Sequence, residues 1–281
     1  MQPRSRGPVL VLPLRPAGPG GRTVHLVHPG ALAAQVHHTL AEALPEGTGL
    51  TVLDLSAVPE YGEAALTGGR AETTVGALAE RLVAELGDGP VSLVGWSFGG
   101  VVAQAMVELL PAGRRPEQLV LLDSIAPTEE YQQPDEALEP PLLLGWFAMY
   151  LGAKRGRPVP LADGALDGLG VDQGLPLVLD AGTGSGALLP GTPLPGLRKL
   201  YDTYVDGLLR NNRLTAPHRP VPSSVPLVLV KAERSLIPGD PTLGWQPLAP
   251  RGLGLAVAPG DHYTMLTRPD AARAVARLLD R

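Results

Sequence analysis

An apolar strand, Val91 to Val94, runs directly into Gly95-Trp96-Ser97-Phe98-Gly99, and a helix of about ten residues ending near Pro111 follows. No other segment restricts the fold as much. With 35 glycines in 281 residues, a Gly-X-Ser-X-Gly pattern carries little by itself. Its position between a strand and an amphipathic helix is what gives it weight, because a tight strand-to-helix turn lifts a serine hydroxyl clear of a sheet. The flanking glycines let such a turn close.

The rest of the chain repeats the same alternation. Strands are predicted at Val9 to Leu14, Thr23 to Val27, Leu50 to Leu55, Leu119 to Leu122, Pro226 to Val230 and Gly254 to Ala258. The breaker cluster Arg15-Pro16-Ala17-Gly18-Pro19-Gly20-Gly21 predicts a hairpin-like connection between the first two. Helices are predicted over Leu32 to Leu44, Thr73 to Leu86 and from about Asp270 onward. Strand and helix in turn imply a mostly parallel central sheet flanked by helices, an α/β fold. Between Leu122 and Pro226 lie about 100 residues where a plain crossover needs roughly 30. The surplus predicts a large lid insertion, about 126–221, in a single domain over 1–281 whose core is 8–125 and 222–281. The lid's clearest element is Leu197 to Leu209, with Leu197, Leu200, Tyr201, Tyr204, Val205, Leu208 and Leu209 on one face. That stripe packs the lid to the core, or also lines an acyl channel in which Trp96, Tyr201 and Tyr204 are the aromatic candidates.

Composition removes several classes of function. A net charge of -5 lacks the basic surface that nucleic acid requires. The absence of cysteine excludes disulfides, thiol nucleophiles and cysteine-based zinc sites. No apolar run approaches the roughly 20 residues of a membrane helix, and Pro13 interrupts the short apolar run from Val9, so a signal peptide is not indicated. These features predict a cytoplasmic protein with no membrane partner, no metal and no resident cofactor.

A serine hydroxyl attacks poorly at neutral pH unless a histidine takes its proton and a carboxylate orients that histidine. Of the six histidines, His262 alone follows the last predicted strand, in the chain order serine, acid, histidine. His25 reads as a satisfied core residue in a strand, His37 and His38 fall on a helix, and His218 lies in a Pro-rich loop. Two acids compete from spacing alone: Asp123, at the end of the strand after the elbow helix, and Glu233, beyond the following strand. Asp240 sits on a Pro-Gly loop, and Asp261 adjoins the histidine too closely to orient its ring. An oxyanion hole needs two backbone N–H groups. Phe98 supplies one, and Gly30 or Ala31 in His28-Pro29-Gly30-Ala31 supplies the second.

These residues together resemble the terminal (type I) thioesterase domains of nonribosomal peptide and polyketide synthases, members of the α/β-hydrolase superfamily. The resemblance rests on Pro13 to Pro16, His28-Pro29-Gly30, Gly95-Trp96-Ser97-Phe98-Gly99-Gly100, Leu121-Leu122-Asp123-Ser124 and Gly260-Asp261-His262-Tyr263-Thr264-Met265-Leu266. It implies an α/β-hydrolase fold, Asp123 as the acid, and a serine thioesterase or acyltransferase that releases a chain by macrocyclisation or hydrolysis. It also implies an upstream acyl or peptidyl carrier domain that delivers the acyl thioester on a phosphopantetheine arm, and a terminal domain of a larger synthase or a free-standing enzyme. The chain departs from the family in having Gly30-Ala31-Leu32 where many members have Ala-Gly-Gly. Alternatives are a free-standing editing (type II) thioesterase, which usually carries its acid near the position of Glu233, a general small-ester esterase, and a non-catalytic hydrolase-fold binding protein.

Two segments imitate other sites. Leu122-Asp123-Ser124-Ile125 resembles part of a phosphopantetheine-attachment sequence but lacks the glycine before Asp-Ser. Val178-Leu179-Asp180-Ala181-Gly182-Thr183-Gly184-Ser185-Gly186 resembles a methyltransferase glycine-rich loop, yet Pro190, Pro193 and Pro195 interrupt the helix that should follow. It reads as a mobile lid loop.

Overall fold

The computed structural model describes residues 9–62 and 73–280, so Met1 to Pro8 of the N-terminal stretch lie outside the described residues. Seven strands form one sheet: β1 Val11–Arg15, β2 Thr23–His28, β3 Gly49–Asp54, β4 Ser92–Trp96, β5 Leu119–Leu122, β6 Leu227–Arg234 and β7 Leu253–Asp261. Their order is β1-β3-β2-β4-β5-β6-β7, parallel throughout except for the antiparallel pair β1–β3. The alternation predicts this mostly parallel sheet, and the resemblance implies its α/β-hydrolase arrangement.

The expected hairpin between the first two strands does not form. β3 lies between β1 and β2 and pairs with both. The breaker cluster steps across that strand instead of turning back, and the Gly18 N–H donates to the Gly47 carbonyl (2.9 Å) on the way. The helix expected over 32–44 is also divided, into a 3-10 turn, Ala34–His37, and α1, His38–Ala43. At His37 ψ is 2°, off the helical value, and its ring is buried.

α2, Val75–Val83, starts where the Thr74 hydroxyl accepts the Ala77 N–H (3.1 Å), an N-cap. α3, Phe98–Leu109, follows β4 and packs beside α2. Beneath this pair Leu93, Leu119, Leu121, Leu227 and Leu229 form one apolar surface, alternate residues of three neighbouring strands. The intervening Val94, Val120, Leu122 and Val230 are also buried, as both faces of a parallel sheet must be.

The chain divides into two compact units, Met1–Gln132 with Leu214–Arg281, and Gln133–Arg213. The second is helical: α4 Pro140–Arg155, α5 Val171–Gly184 and most of α6 Leu194–Thr215. Its interior holds an aromatic cluster in which Phe147 meets Tyr201 edge-on (5.3 Å between centroids) and Tyr150 stacks on Tyr204 (4.8 Å). Burying one such ring contributes about 1.5–3 kcal/mol. The segment 178–186, expected as a mobile loop, is helical as far as Gly184. Gly182 is buried there, and a Cβ would stand 2.9 Å from Leu188 Cδ1, so this glycine serves close packing within the unit. Leu279 closes the last helix, α7, Pro269–Leu279, which packs on α1. No helix of the described residues is long and apolar enough to cross a membrane.

Candidate functional site

β4 ends at Trp96, and Ser97 then takes φ 54° and ψ -130° before α3 begins at Phe98. A non-glycine residue holds such angles only when its surroundings impose them. Two contacts do so: the Ser97 N–H donates to the Leu122 carbonyl (3.0 Å), and the Gly100 N–H to the Ser97 carbonyl (2.9 Å). Glycine is required on both sides. A Cβ on Gly95 would collide with the Gly100 backbone, and one on Gly99 with the Val27 carbonyl.

The neighbouring strand end supplies the acid. Asp123 follows β5 at φ 41°, its N–H donating to the Val230 carbonyl (2.9 Å). Its Oδ1 accepts the Ala232 N–H (2.9 Å), and its Oδ2 lies 2.7 Å from His262 Nδ1. On the other side His262 Nε2 lies 3.1 Å from Ser97 Oγ. Ser97, His262 and Asp123, separated by up to 165 positions along the chain, are thus joined in one line, with His262 and Asp123 almost wholly buried. A carboxylate can only accept, so Nδ1 carries the proton and Nε2 is free to receive one from Ser97.

Glu233, the competing acid, is exposed, and its carboxylate accepts the Gly260 N–H (3.3 Å) instead. Asp240 accepts from the Tyr131 hydroxyl (2.7 Å) and from the Thr242 and Gly244 N–H groups. It lines a cleft of about 600 Å³ that holds none of the three residues. Asp261 shapes the histidine loop: its Oδ1 accepts the N–H groups of Tyr263 (3.0 Å) and Thr264 (2.8 Å). The Asp-X-X-Thr spacing is the sequence signal for that turn, and the reading of the acids by reach to His262 passed over it.

Trp96, proposed for a channel, lies beneath the site instead. Its ring is 1% exposed, stacks on His28 (5.3 Å, 16°) and lies 5.2 Å from the His262 ring, and its Nε1–H donates to the His262 carbonyl (3.1 Å). A ring so buried has no surface left to offer a channel. Tyr201 and Tyr204 belong to the aromatic cluster of the helical unit. Phe98 is the first residue of α3, where a backbone N–H has no intrahelical acceptor. Gly30 (φ 91°) and Ala31 (φ 67°) form a left-handed pair after β2, the strand paired with β4.

Sequence reasoning overlooked what secures that pair. Buried Tyr61 donates its hydroxyl to the Pro29 carbonyl (2.7 Å), and nothing local to Tyr61 announces a partner 32 residues away. His25, expected to be satisfied, is so only in part: its ring pairs with the Ser92 backbone, while its buried Nδ1 has no hydrogen-bond partner. In the Asp123-Ser124 pair, similar to part of an attachment sequence, Asp123 meets His262 and Ser124 is fully buried, its backbone carbonyl accepting the Trp245 Nε1–H (2.8 Å). Among the described residues no cluster of His, Asp or Glu could hold a metal ion.

A model of the thioesterase domain family matches residues 22–166. The structure is similar to the four-domain nonribosomal peptide synthetase holo-AB3403 bound to AMP and glycine, at 26% identity and a TM-score of 0.65. The match covers 97% of this chain, which spans only 20% of that synthetase. The thioesterase domain of NocB, in covalent complex with a fluorophosphonate nocardicin G analogue, is 25% identical with a TM-score of 0.58, covering 96% of this chain and 99% of that one. The Vlm2 thioesterase domain shares the fold at 21% identity and a TM-score of 0.54, with 96% of each chain covered. With its elbow, its sheet order and a family model covering more than half its length, this chain belongs to the thioesterase domain family.

Proposed function

We propose that this domain is a chain-releasing thioesterase in which Ser97 takes an acyl, peptidyl or polyketide chain from a carrier-bound thioester. The observation that carries the reading is the unbroken line from Ser97 Oγ through His262 to Asp123. Ser97 Oγ attacks the thioester carbonyl while His262 Nε2 takes its proton, and Asp123 stabilises the imidazolium. The N–H of Phe98 and one N–H of the Gly30–Ala31 turn hold the oxyanion. Collapse breaks the C–S bond, and the departing phosphopantetheine thiolate takes the proton from His262. The acyl ester on Ser97 is then attacked by water, giving an acid, or by a hydroxyl or amine of the chain itself, giving a macrolactone or macrolactam. His262 removes the proton from that second nucleophile and returns it to Ser97 Oγ as the acyl–Oγ bond breaks. In this reading the access of water to the acyl ester, which the insertion expected over 126–221 would govern, decides between the two.

The position of the acid favours chain release over editing of misprimed short acyl groups, since Asp123 and not Glu233 meets His262. The similarity to a four-domain synthetase supports delivery by an upstream carrier domain. Incubation with a chain-mimicking N-acetylcysteamine thioester, followed by intact-mass and peptide mapping, should place one acyl group on Ser97. Turnover that persists after Ser97→Ala would overturn the proposal. Product analysis then separates linear acid from ring, and preferential acetyl hydrolysis would favour editing.

A further inference from the structure

A pair of imidazoles lies under the loop that leaves β2, and the reaction above does not use it. His28 ends β2 and His37 ends the 3-10 turn; they are 0% and 1% exposed. His28 Nε2 lies 2.9 Å from the Leu32 carbonyl. A carbonyl only accepts, so Nε2 carries hydrogen and the neutral ring leaves Nδ1 bare. That Nδ1 lies 3.0 Å from His37 Nε2, which must therefore be the donor. His37 Nδ1 is then bare as well, and it is buried with no hydrogen-bond partner. One carbonyl thus dictates the position of every proton in the pair.

The bond from His28 to Leu32 spans the left-handed residues Gly30 and Ala31. Within it the Leu32 N–H donates to the Gly30 carbonyl (2.9 Å). We propose that His37 is a positioning residue: its Nε2–H holds His28 in the tautomer whose bond to Leu32 keeps the Gly30–Ala31 turn shaped for an oxyanion. The inference rests on the proposed role of that turn. Without a donor at position 37, the buried Nδ1 of His28 would be an unpaired acceptor, which favours moving the proton there. Nε2 would then face the Leu32 carbonyl lone pair to lone pair, and the loop would lose its closing bond.

Acid should strain the pair too, although an imidazolium at His37 would keep its Nε2–H bond to His28. Burial pushes the pKa of both His28 and His37 down. The Asp54 carboxylate at the end of β3 opposes this at His28, but its Oδ1 already accepts from the Ser56 N–H and hydroxyl. His262 lies across the Trp96 ring. An added proton finds His37 Nδ1, where no acceptor meets it, so the unmatched charge loosens the pocket around the relay instead of removing its donor.

The test compares the full chain with its His37→Leu and His37→Gln variants by ¹⁵N–¹H correlation of the histidine rings, alongside kcat and KM on an acyl thioester. Wild-type His28 should show the Nε2–H tautomer. His37→Leu should add the Nδ1–H form and lower kcat about tenfold with KM within about twofold. His37→Gln, whose amide can donate but not titrate, should restore the tautomer and most of kcat, and should remove one acid-limb ionisation from the pH–rate profile. An Nδ1–H tautomer in the wild type, or an unchanged tautomer and kcat in His37→Leu, would overturn the proposal. If His37→Leu does not fold, the pH–rate profile of His37→Gln decides, an unchanged acid limb counting against it. The tautomer is read without turnover, so a failed thioesterase reading would show itself separately, as absent acylation in the wild type.

Discussion

The two units accommodate left-handed backbone in different ways. In the helical unit, every positive φ among the described residues belongs to glycine, at 156, 164, 168, 186 and 191. In the sheet unit Ala31, Ser97, Asp123 and Leu243 adopt it with side chains in place. The first three follow β2, β4 and β5, adjacent strands of the sheet, at their carboxyl ends. Such conformations cost of order 1–3 kcal/mol each, and glycine would relieve them. At Ser97 and Asp123 glycine would remove the side chains that meet His262, so in this unit strain coincides with the strand ends where the three side chains come together. The helical unit has no such residue and follows ordinary packing rules.

The largest break between the two regions should come from the acid. Asp123→Asn is expected to lower kcat by about 10⁴-fold, since an amide favours the wrong His262 tautomer. Glu233→Gln should stay within about twofold, and equal losses in steady-state assays would remove the distinction between the two acids. In the helical unit Gly182→Leu should lower stability by about 1–3 kcal/mol through overpacking against Leu188. Urea titration would measure this, and acylation by a short thioester should change by less than about threefold. Loss of that acylation would mean the units are not separable in function. Smaller still, Trp96→Phe removes the N–H that holds the His262 carbonyl, worth about 1 kcal/mol or roughly fivefold in kcat.

The mildest expectation concerns pH. Because burial lowers the pKa of His28 and His37 in the folded state, the unfolded chain binds more protons below its own pKa of about 6.5. Stability should therefore be fully present above that pH and decline as pH falls through and below it. A midpoint temperature that rose on acidification from pH 7 to 5 would contradict the neutral pair.

Much of the sheet unit was legible because its signals are local. The run from Val91 to Gly99 reads as strand, turn and helix from its own residues, and β5 lies where its apolar run predicts. The divided helix at His37 was not legible, because the ring there answers to His28 and not to the helical period around it. Nor was the path of Arg15 to Gly21, since a breaker cluster marks a change of direction without saying which strand comes to lie beside it. Within the helical unit, Gly182 looked like part of a loop because its close packing on Leu188, beyond the end of the helix, is not written in the glycine-rich run itself.

By itself, the order of residues determined the elbow at Ser97 and the alternation that builds a parallel sheet, because each depends on neighbours within one turn or strand, and it singled out His262 by its place after the last strand. Only the tertiary structure decided between Asp123 and Glu233, turned Trp96 from a channel residue into the floor of the site, and joined His37 to His28. Those choices depend on which strand ends lie side by side. That is set by sheet order and burial, which no local spacing contains.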